Sequence, residues 1–437
     1  MAYNTYEVFT PSSPAKLTFV ERQSINDKLV DALRTPGKQL VVYGHSGSGK
    51  TTLLMNKLEQ LYHAHITSRC METTTFEQLL LDAFDQLGPY FETEITRKKN
   101  STNEAKLSAD YAGIKSQIVA TNSEGTDTKL TRAIPYQLTP AKLAALIGCV
   151  QGCWVLEDFH KVKEEEKPRL SQLMKVFMDM ATEFTSVKVI AIGAVGTARE
   201  VVQYDKEMSR RVSEIYVPLM SNAELASILD TGEKLLNVKF ENGVKEEIVR
   251  HSNGLASVCH QLALNMCQTR SIFVTATDCQ HFTKSDFLIS VTKYIEEESD
   301  SIKAVFDKAT KRHKTRKFDN CNIILRAMLK GSEDGMQHAE LLKEAQKVAP
   351  RYPASNLAKY LKELQGEMRG GVVVYDQNTN RYRYANPFYR AYAMAIFGAK
   401  DTAQKPAPLT SNIVMALAEA FRDSFRELEK AGLLKKE

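Results

Sequence analysis

The residues with the most specific chemistry form a run that follows a short apolar segment: Gly44-His45-Ser46-Gly47-Ser48-Gly49-Lys50-Thr51. This run, with Thr52 after it, fits the pattern G-x-x-x-x-G-K-[ST] at every fixed position. In this pattern the glycines let backbone N–H groups surround a phosphate chain, and the start of the following helix adds its positive dipole end. The lysine reaches the terminal phosphates, and the threonine hydroxyl ligates Mg²⁺. The run therefore predicts a nucleoside triphosphate site; an incidental glycine-rich turn is the alternative.

Two carboxylates, Glu157 and Asp158, come directly after the apolar run Cys153-Trp154-Val155-Leu156. Acidic residues that leave a buried strand at the edge of the sheet carrying the phosphate loop can hold the water shell of Mg²⁺ and polarise the attacking water. We assign Glu157 to the metal side, through water, and Asp158 to water activation. The usual order is Asp-Glu, so the reverse assignment stays open. An acidic turn without a catalytic role is the alternative.

Further candidates lie near the next two apolar runs. Arg210 and Arg211 precede Ile215-Tyr216-Val217 and are candidates for a catalytic finger that reaches the nucleotide of a neighbouring subunit, Arg211 in particular. A surface ion pair is the alternative. The run before them ends in Gly193-Ala194, so Thr197 is the nearest polar candidate for detecting the γ-phosphate.

The hydrophobic pattern indicates the elements that must position these residues. From about Phe19 to Met220, apolar β-branched runs alternate with helical stretches, which is typical of a parallel sheet covered on both faces. We therefore expect an α/β fold with a P-loop NTPase core over residues 1–220, interrupted by a polar insertion at about 92–137. A purely helical pattern over 221–290 predicts a small helical lid.

Residues 291–400 predict a basic connector followed by a winged-helix domain. Basic residues concentrate at 303–317, and three predicted helices precede a hairpin, which is the element order of a winged helix. The helices are Asn320–Leu329, His338–Val348 and Ala354–Gln365, and the hairpin strands are Gly371–Tyr375 and Arg381–Tyr384. Residues 401–437 predict a linker and an amphipathic helix.

Composition and the distribution of residue types exclude several other classes of protein. The chain has 437 residues, 43% hydrophobic and 25% charged, values typical of a globular protein of about three domains. No stretch approaches the roughly 18–20 apolar residues of a membrane span, and the N-terminus lacks a signal-peptide pattern. We expect a cytoplasmic protein without a membrane partner. Cys149, Cys153 and His160 supply too few ligands for structural zinc. A net charge of +5 permits contact with nucleic acid without requiring it.

Taken together, these motifs resemble the AAA+ and STAND branch of P-loop ATPases, including archaeal-type and origin-recognition-complex-like ATPases that join a core, a helical lid and a winged helix. Thr18-Phe19-Val20-Glu21-Arg22 resembles the segment that STAND proteins place against adenine, with Glu21 where Gly is usual. The resemblance makes Arg22 a cofactor contact. Ser252–His260 is similar to the lid segment Ser-x-Gly-Leu-Pro, without the phosphate-sensing arginine of origin-recognition-like members. His260 is the candidate to replace it; a packed helix histidine is the alternative.

The resemblance implies a slow, regulatory ATPase that uses ATP/ADP and Mg²⁺. Its nucleotide state would control assembly into a homo-oligomer or activation of a separate effector protein, in prokaryotic defence or control of mobile elements. One alternative is a DNA-binding loader or regulator of transposition or replication that uses the third winged-helix helix and the hairpin. Its basic residues would be Arg351, Lys359, Lys362, Arg381 and Arg383, together with the Lys and Arg residues of 303–317. Structural ATP binding with little hydrolysis is another.

Overall fold

The structure is a computed structural model that describes residues 2–88, 138–194, 210–297, 300–311, 317–332, 334–376 and 379–401. The chain divides into two compact units, Met1–Tyr294 and Ile295–Glu437. Over the described ranges, no helix combines the length and apolar character that crossing a membrane requires. The predicted insertion at 92–137, Thr197 and the predicted helix after residue 401 lie outside the described residues.

A five-stranded parallel sheet forms the centre of the first unit. The strands are β1 (Gln39–Tyr43), β2 (Ala64–Arg69), β3 (Gly152–Glu157), β4 (Val189–Gly193) and β5 (Val212–Tyr216). Their order in the sheet is β2-β3-β4-β1-β5. All five carboxyl ends therefore meet at one edge of the sheet. The predicted α/β core with a parallel sheet is confirmed. β2 was not predicted, because its half-buried polar residues alternate with the buried ones and break up the apolar run.

After a short N-terminal helix, α1 (Thr5–Val8), helices cover both faces of this sheet. They are α2 (Gln23–Arg34), α3 (Lys50–Leu61), α4 (Phe76–Gln86), α5 (Pro140–Cys149) and α6 (Lys167–Met180). Successive residues of a strand point to opposite faces. In β3, Trp154 packs in the hydrophobic cluster with α4, α5 and α6, whereas Val155 packs in the cluster with α2 and α3. This two-sided burial fixes β3, and hence the acidic pair at its end.

A mainly helical part completes the first unit. It consists of α7 (Asn222–Leu236), β6 (Val238–Phe240), α8 (Val244–Ser252), α9 (Ala256–Thr269), β7 (Gln280–Phe282) and the start of α10 (Lys284–Glu297). Ser221 and Glu224 form a capping box at the start of α7. The expectation of helices alone was wrong here, because β6 and β7 pair as a small parallel sheet. Three-residue strands are too short to produce a recognisable alternation.

The N-terminal residues pack on this helical part. Thr5 N–H donates to Phe273 O at 2.9 Å, and Asn4 forms an antiparallel bridge with Val274. The Phe9 ring lies so close to Gly232 that a Cβ there would overlap it. Because α2 packs against α3 and the sheet, residues 10–22 connect the helical part to the sheet.

The second unit contains the three predicted helices and the hairpin close to their predicted bounds, and also a helix over 387–401 that was not predicted. The elements are α11 (Asp300–Thr310), α12 (Asn320–Met328), α13 (His338–Val348), α14 (Ala354–Gln365), β8 (Val373–Asp376), β9 (Arg381–Tyr384) and α15 (Pro387–Asp401). β8 and β9 pair antiparallel. The buried Arg369 donates to Lys311 O at 2.6 Å, just beyond the end of α11. The assignment of this unit as a winged helix remains a prediction.

Candidate nucleotide-binding site

Two glycines fix the shape of the predicted phosphate loop. Gly44 lies beside the end of β5, where Val217 N–H donates to Tyr43 O at 2.8 Å. A Cβ on Gly44 would overlap the carbonyl oxygen of Val217. Gly49 adopts φ +86°, a left-handed conformation that favours glycine, and a Cβ there would face open space. The loop thus turns sharply into α3, whose amino end starts at Lys50.

Lys50 folds back onto the loop. Its Nζ donates to His45 O at 2.7 Å and to Gly44 O at 3.1 Å. Burial lowers the pKa of Lys50, and the charge of Asp158 partly opposes this shift. A partly desolvated ammonium that is bonded to neutral carbonyls is suited to pairing with an anion such as a phosphate.

Thr51 and Glu157 meet at the carboxyl edge of the sheet. Thr51 Oγ1 donates to Glu157 Oε1 at 3.2 Å. The two residues meet although β4 lies between β3, which ends at Glu157, and β1, which leads into the loop before Thr51. A hydroxyl and a carboxylate oxygen at one point match the hard oxygen ligands that Mg²⁺ takes, directly or through water. When bound there, Mg²⁺ would neutralise charge on the phosphates.

Asp158 differs from Glu157 in its backbone conformation and in its contacts. Its backbone is left-handed, with φ +58°, and it begins a short 3₁₀ turn, Phe159–Lys161. Its Oδ2 lies 2.6 Å from Lys161 Nζ, and the side chain is about half exposed. The carboxylate that contacts Thr51 is that of Glu157. The roles assigned to the two acids stay predictions.

A cavity of about 710 Å³ joins these groups to the N-terminal segment. Its lining combines two sets of residues: the loop and acidic residues, and residues between 10 and 20 with residues of α7 and α9. The predicted site residues that line it are Gly44, Ser46, Gly47, Ser48, Gly49, Lys50, Thr51, Thr52, Arg22, Glu157, Asp158 and His260. His45 contributes its carbonyl to Lys50 instead.

Arg22 is buried and fully engaged with the protein. Its guanidinium pairs with Glu224 at 3.0 Å and donates to Pro218 O and Leu219 O at 3.0 and 3.1 Å. Burial acts to raise the pKa of Glu224, but the Ser221 N–H and Arg22 lower it. Arg22 therefore joins the N-terminal segment to the start of α7, a role with no signal in the local sequence.

His260 lies in α9 and is almost fully buried. Its Nδ1 accepts a hydrogen bond from Thr10 N–H at 3.1 Å, and burial lowers its pKa to about 4. The imidazole is therefore neutral near pH 7 and cannot supply the charge of an arginine. A neutral ring can still donate from Nε2, so His260 stays a candidate contact.

The two predicted finger arginines lie away from this cavity. Arg210 and Arg211 are exposed at the amino end of β5, where Arg211 O accepts from Gln39 N–H at 2.9 Å. Arg211 Nη1 is 3.4 Å from Asp179 Oδ1. The phosphate loop follows the opposite end of β1, so the structure does not bring either arginine to the chain's own site. A role on a neighbouring subunit stays a prediction.

Comparisons with known proteins place the fold. No protein-family model and no curated protein matches the chain. A Walker-type ATPase of Pyrococcus abyssi superposes with a TM-score of 0.51 at 16% identity, over 87% of this chain and 96% of that one. The chain has the fold of a Walker-type ATPase. The Aeropyrum pernix ORC2 protein, in ADPNP-ADP complexes, aligns over 92% of this chain and all of its own at 12% identity and TM-score 0.44. Cdc6p from Pyrobaculum aerophilum aligns over 91% of this chain and 99% of its own at 15% identity and TM-score 0.42.

Among the cavity residues of this ATPase fold that were missed as nucleotide-site candidates in the sequence are Arg69 and His160. Arg69 ends β2, and its Nε lies 3.5 Å from Glu157 Oε2. His160 lines the cavity and accepts a hydrogen bond from Ala194 N–H at 3.3 Å. It had been considered only as a zinc ligand. The residues that the structure describes include no group of three or more His, Cys, Asp or Glu side chains that could hold a metal ion. Recognition of β2 as a strand would have pointed to Arg69.

Proposed function

We propose that this protein is a nucleotide-controlled switch that binds ATP and hydrolyses it slowly to ADP and phosphate. The observation that carries the proposal is the convergence of Lys50, Thr51, Glu157 and Asp158 on one cavity. Lys50 and Thr51 begin the helix that follows β1, and the two acids lie at the end of β3, which is not a neighbour of β1 in the sheet. A glycine-rich turn without function gives no reason for the acidic pair to lie at the same place.

Binding would use both sets of lining residues. Backbone N–H groups of the loop and Lys50 hold the phosphates, and Thr51 with Glu157 holds Mg²⁺. The base lies toward the N-terminal segment and α9, where Phe19, Ala256 and Ser257 line the cavity. The preference for adenine follows from the resemblance of residues 18–22 to STAND proteins.

Hydrolysis would use Asp158 as the base. Its carboxylate accepts a proton from the water that attacks the γ-phosphorus, the bond to the bridging oxygen breaks, and ADP leaves as phosphate forms. Lys50 stabilises the negative charge on the transferred group. Lys161, at 2.6 Å from Asp158, competes for the carboxylate, which is consistent with slow turnover.

The switch would act through the elements that share the cavity. The N-terminal segment is bonded to α9 through Thr10 and His260, and to the start of α7 through Arg22 and Glu224. Nucleotide that contacts both the loop and this segment links the sheet to the helical part. We propose that this link controls assembly into an oligomer, in which Arg211 or Arg210 of one copy reaches the nucleotide of the next, and activation of a partner protein.

The test measures phosphate release and nucleotide affinity for the wild type, Lys50→Ala, Glu157→Gln and Asp158→Ala. We expect Lys50→Ala to lose ATP binding, and the two acid variants to bind ATP but release phosphate at least 10-fold more slowly, since each removes one group needed in the transition state. Lys239→Ala, an exposed lysine away from the cavity, is the matched control. Equal phosphate release from the wild type and Lys50→Ala would refute the proposal.

A second proposed function, DNA binding, rests on α14 in the second unit. Its buried residues are Leu357, Tyr360, Leu361 and Leu364, whereas Lys359 and Lys362 are exposed. A helix with an exposed basic face after two others is the arrangement with which winged helices enter a major groove. Arg351 is also exposed, but Arg381 donates to Gly335 O at 2.7 Å and so supports the hairpin.

Fluorescence anisotropy with labelled duplex DNA at 50 and 200 mM salt tests this second function. Phosphate contacts predict a steep loss of affinity with salt, and a smaller salt slope for the Lys359→Ala/Lys362→Ala variant. The absence of binding at the lower salt concentration would exclude it.

A further inference from the structure

The end of β4 lacks a polar side chain, although it lies beside the strand that leads into the phosphate loop. β4 pairs with β1 along Leu40–Tyr43, so Gly193 is level with Tyr43. Gly193 and Ala194 line the cavity together with Lys50. Neither residue has a side chain that can form a hydrogen bond with a phosphate, so any side-chain contact to a phosphate at this position has to come from another element.

The side chain of His160 occupies this position. It belongs to the 3₁₀ turn Phe159–Lys161, which follows β3, the other neighbour of β4. His160 Nδ1 accepts the Ala194 N–H at 3.3 Å, which places the proton of the neutral ring on Nε2. In the part of the chain that the structure describes, no hydrogen-bond partner of Nε2 is found, and the ring lines the cavity.

The turn that carries His160 is held in place on both sides. Phe159 is buried in the core below it, and Lys161 N–H donates to Asp158 O at 2.8 Å. Val162 N–H donates to Phe159 O at 3.1 Å. The ring is therefore presented to the cavity by a closed turn and by its bond to the N–H that follows β4.

We propose that His160 is the γ-phosphate contact of this ATPase: its Nε2–H donates to a γ-phosphate oxygen, while Nδ1 links that contact to Ala194 at the end of β4. The proposal rests on the proposed ATPase function. In this proposal His160, which follows the acidic pair, discriminates ATP from ADP. The side chains at the end of β4 cannot do so. Thr197, which follows β4, is the competing candidate.

The experiment measures the dissociation constants of ADP and of the slowly hydrolysed analogue ATPγS, both with Mg²⁺, and the rate of phosphate release. We expect His160→Phe, which keeps the ring volume, to bind ADP as the wild type does. Its ATPγS affinity should fall about 10-fold or more, the size expected for a lost hydrogen bond to a charged group, and kcat should fall with it. His160→Gln, whose amide can accept and donate, should recover part of both losses.

Two controls separate the outcomes. His281→Phe, at an exposed position in β7, should change neither affinity. Unchanged ADP affinity shows that His160→Phe is folded at the site; if that variant does not fold, the His160→Gln variant and Thr197→Ala decide. The proposal is overturned if the ratio of ATPγS affinity to ADP affinity is unchanged in the His160 variants. It is also overturned if that ratio falls only in Thr197→Ala. If the wild type binds neither nucleotide, the ATPase function itself fails.

Discussion

Thr51 and Glu157, 106 residues apart in the chain, are joined by a hydrogen bond of 3.2 Å between Oγ1 and Oε1. The bond connects the first turn of the helix after the phosphate loop to the end of β3. It brings the two oxygen ligands proposed for Mg²⁺ to one point, and it separates the role of Glu157 from that of Asp158, which pairs with Lys161.

Removal of the Thr51 hydroxyl should weaken nucleotide binding only when Mg²⁺ is present. Thr51→Val keeps the side-chain volume and deletes one oxygen ligand, so we expect about a 10-fold loss of ATP affinity with Mg²⁺ and little change in EDTA. Isothermal titration calorimetry under both conditions measures the difference. Equal losses with and without Mg²⁺ would show that Thr51 does not act through the metal.

The two loop glycines should respond differently to alanine. Gly44→Ala places a methyl group against the Val217 carbonyl and should lower the free energy of unfolding by several kcal/mol, because backbone on both sides must shift. Gly49→Ala meets no neighbour, so its cost should be limited to about 1 kcal/mol of left-handed strain. Urea denaturation of both variants gives the comparison, and equal destabilisation would contradict the geometry.

The buried Arg22 should stabilise the first unit rather than select the base. Arg22→Met leaves Glu224 without its charged partner, so we expect a loss of about 3 kcal/mol in the free energy of unfolding. Arg34→Met, at an exposed position in the last turn of α2, is the control and should cost less than about 0.5 kcal/mol. A stable Arg22→Met variant with altered base preference would contradict this role.

His260 should make the protein less stable in mild acid. Burial lowers its pKa from 6.5 to about 4, so between these values the unfolded chain binds more protons than the folded one. Its contribution to stability is therefore present above pH 6.5 and is lost as the pH falls toward 4. The urea concentration at the midpoint of unfolding, measured at pH 7, 6 and 5, should fall less with decreasing pH in His260→Asn than in the wild type. The exposed His63→Asn should follow the wild type, and parallel curves for all three would refute the prediction.

Arg211 should matter for catalysis only between subunits. Its pair with Asp179 is exposed, so Arg211→Ala should leave stability nearly unchanged. If Arg211 reaches a neighbouring site, phosphate release falls in Arg211→Ala and recovers when that variant is mixed with Lys50→Ala, because each copy supplies what the other lacks. Light scattering without nucleotide, with ADP and with an ATP analogue measures assembly. A constant monomer mass would rule out this role.

The sequence by itself determined the phosphate loop, the strand before the acidic pair and the α/β core, because each has a local signature. Glycine spacing reports backbone conformation directly, and a buried parallel strand must be apolar on both faces. The same reasoning placed most helices within a few residues of their bounds. It failed at β2, β6 and β7, whose alternating or very short patterns resemble those of loops.

Only the tertiary structure decided which side chains share the cavity. The contacts of Arg22 with Glu224, of Arg69 with Glu157 and of His160 with Ala194 join segments that lie far apart in the chain. They depend on the order of the strands and on the path of the N-terminal segment. Neither is encoded in any local pattern, because the order is set by how whole faces of helices and strands pack together.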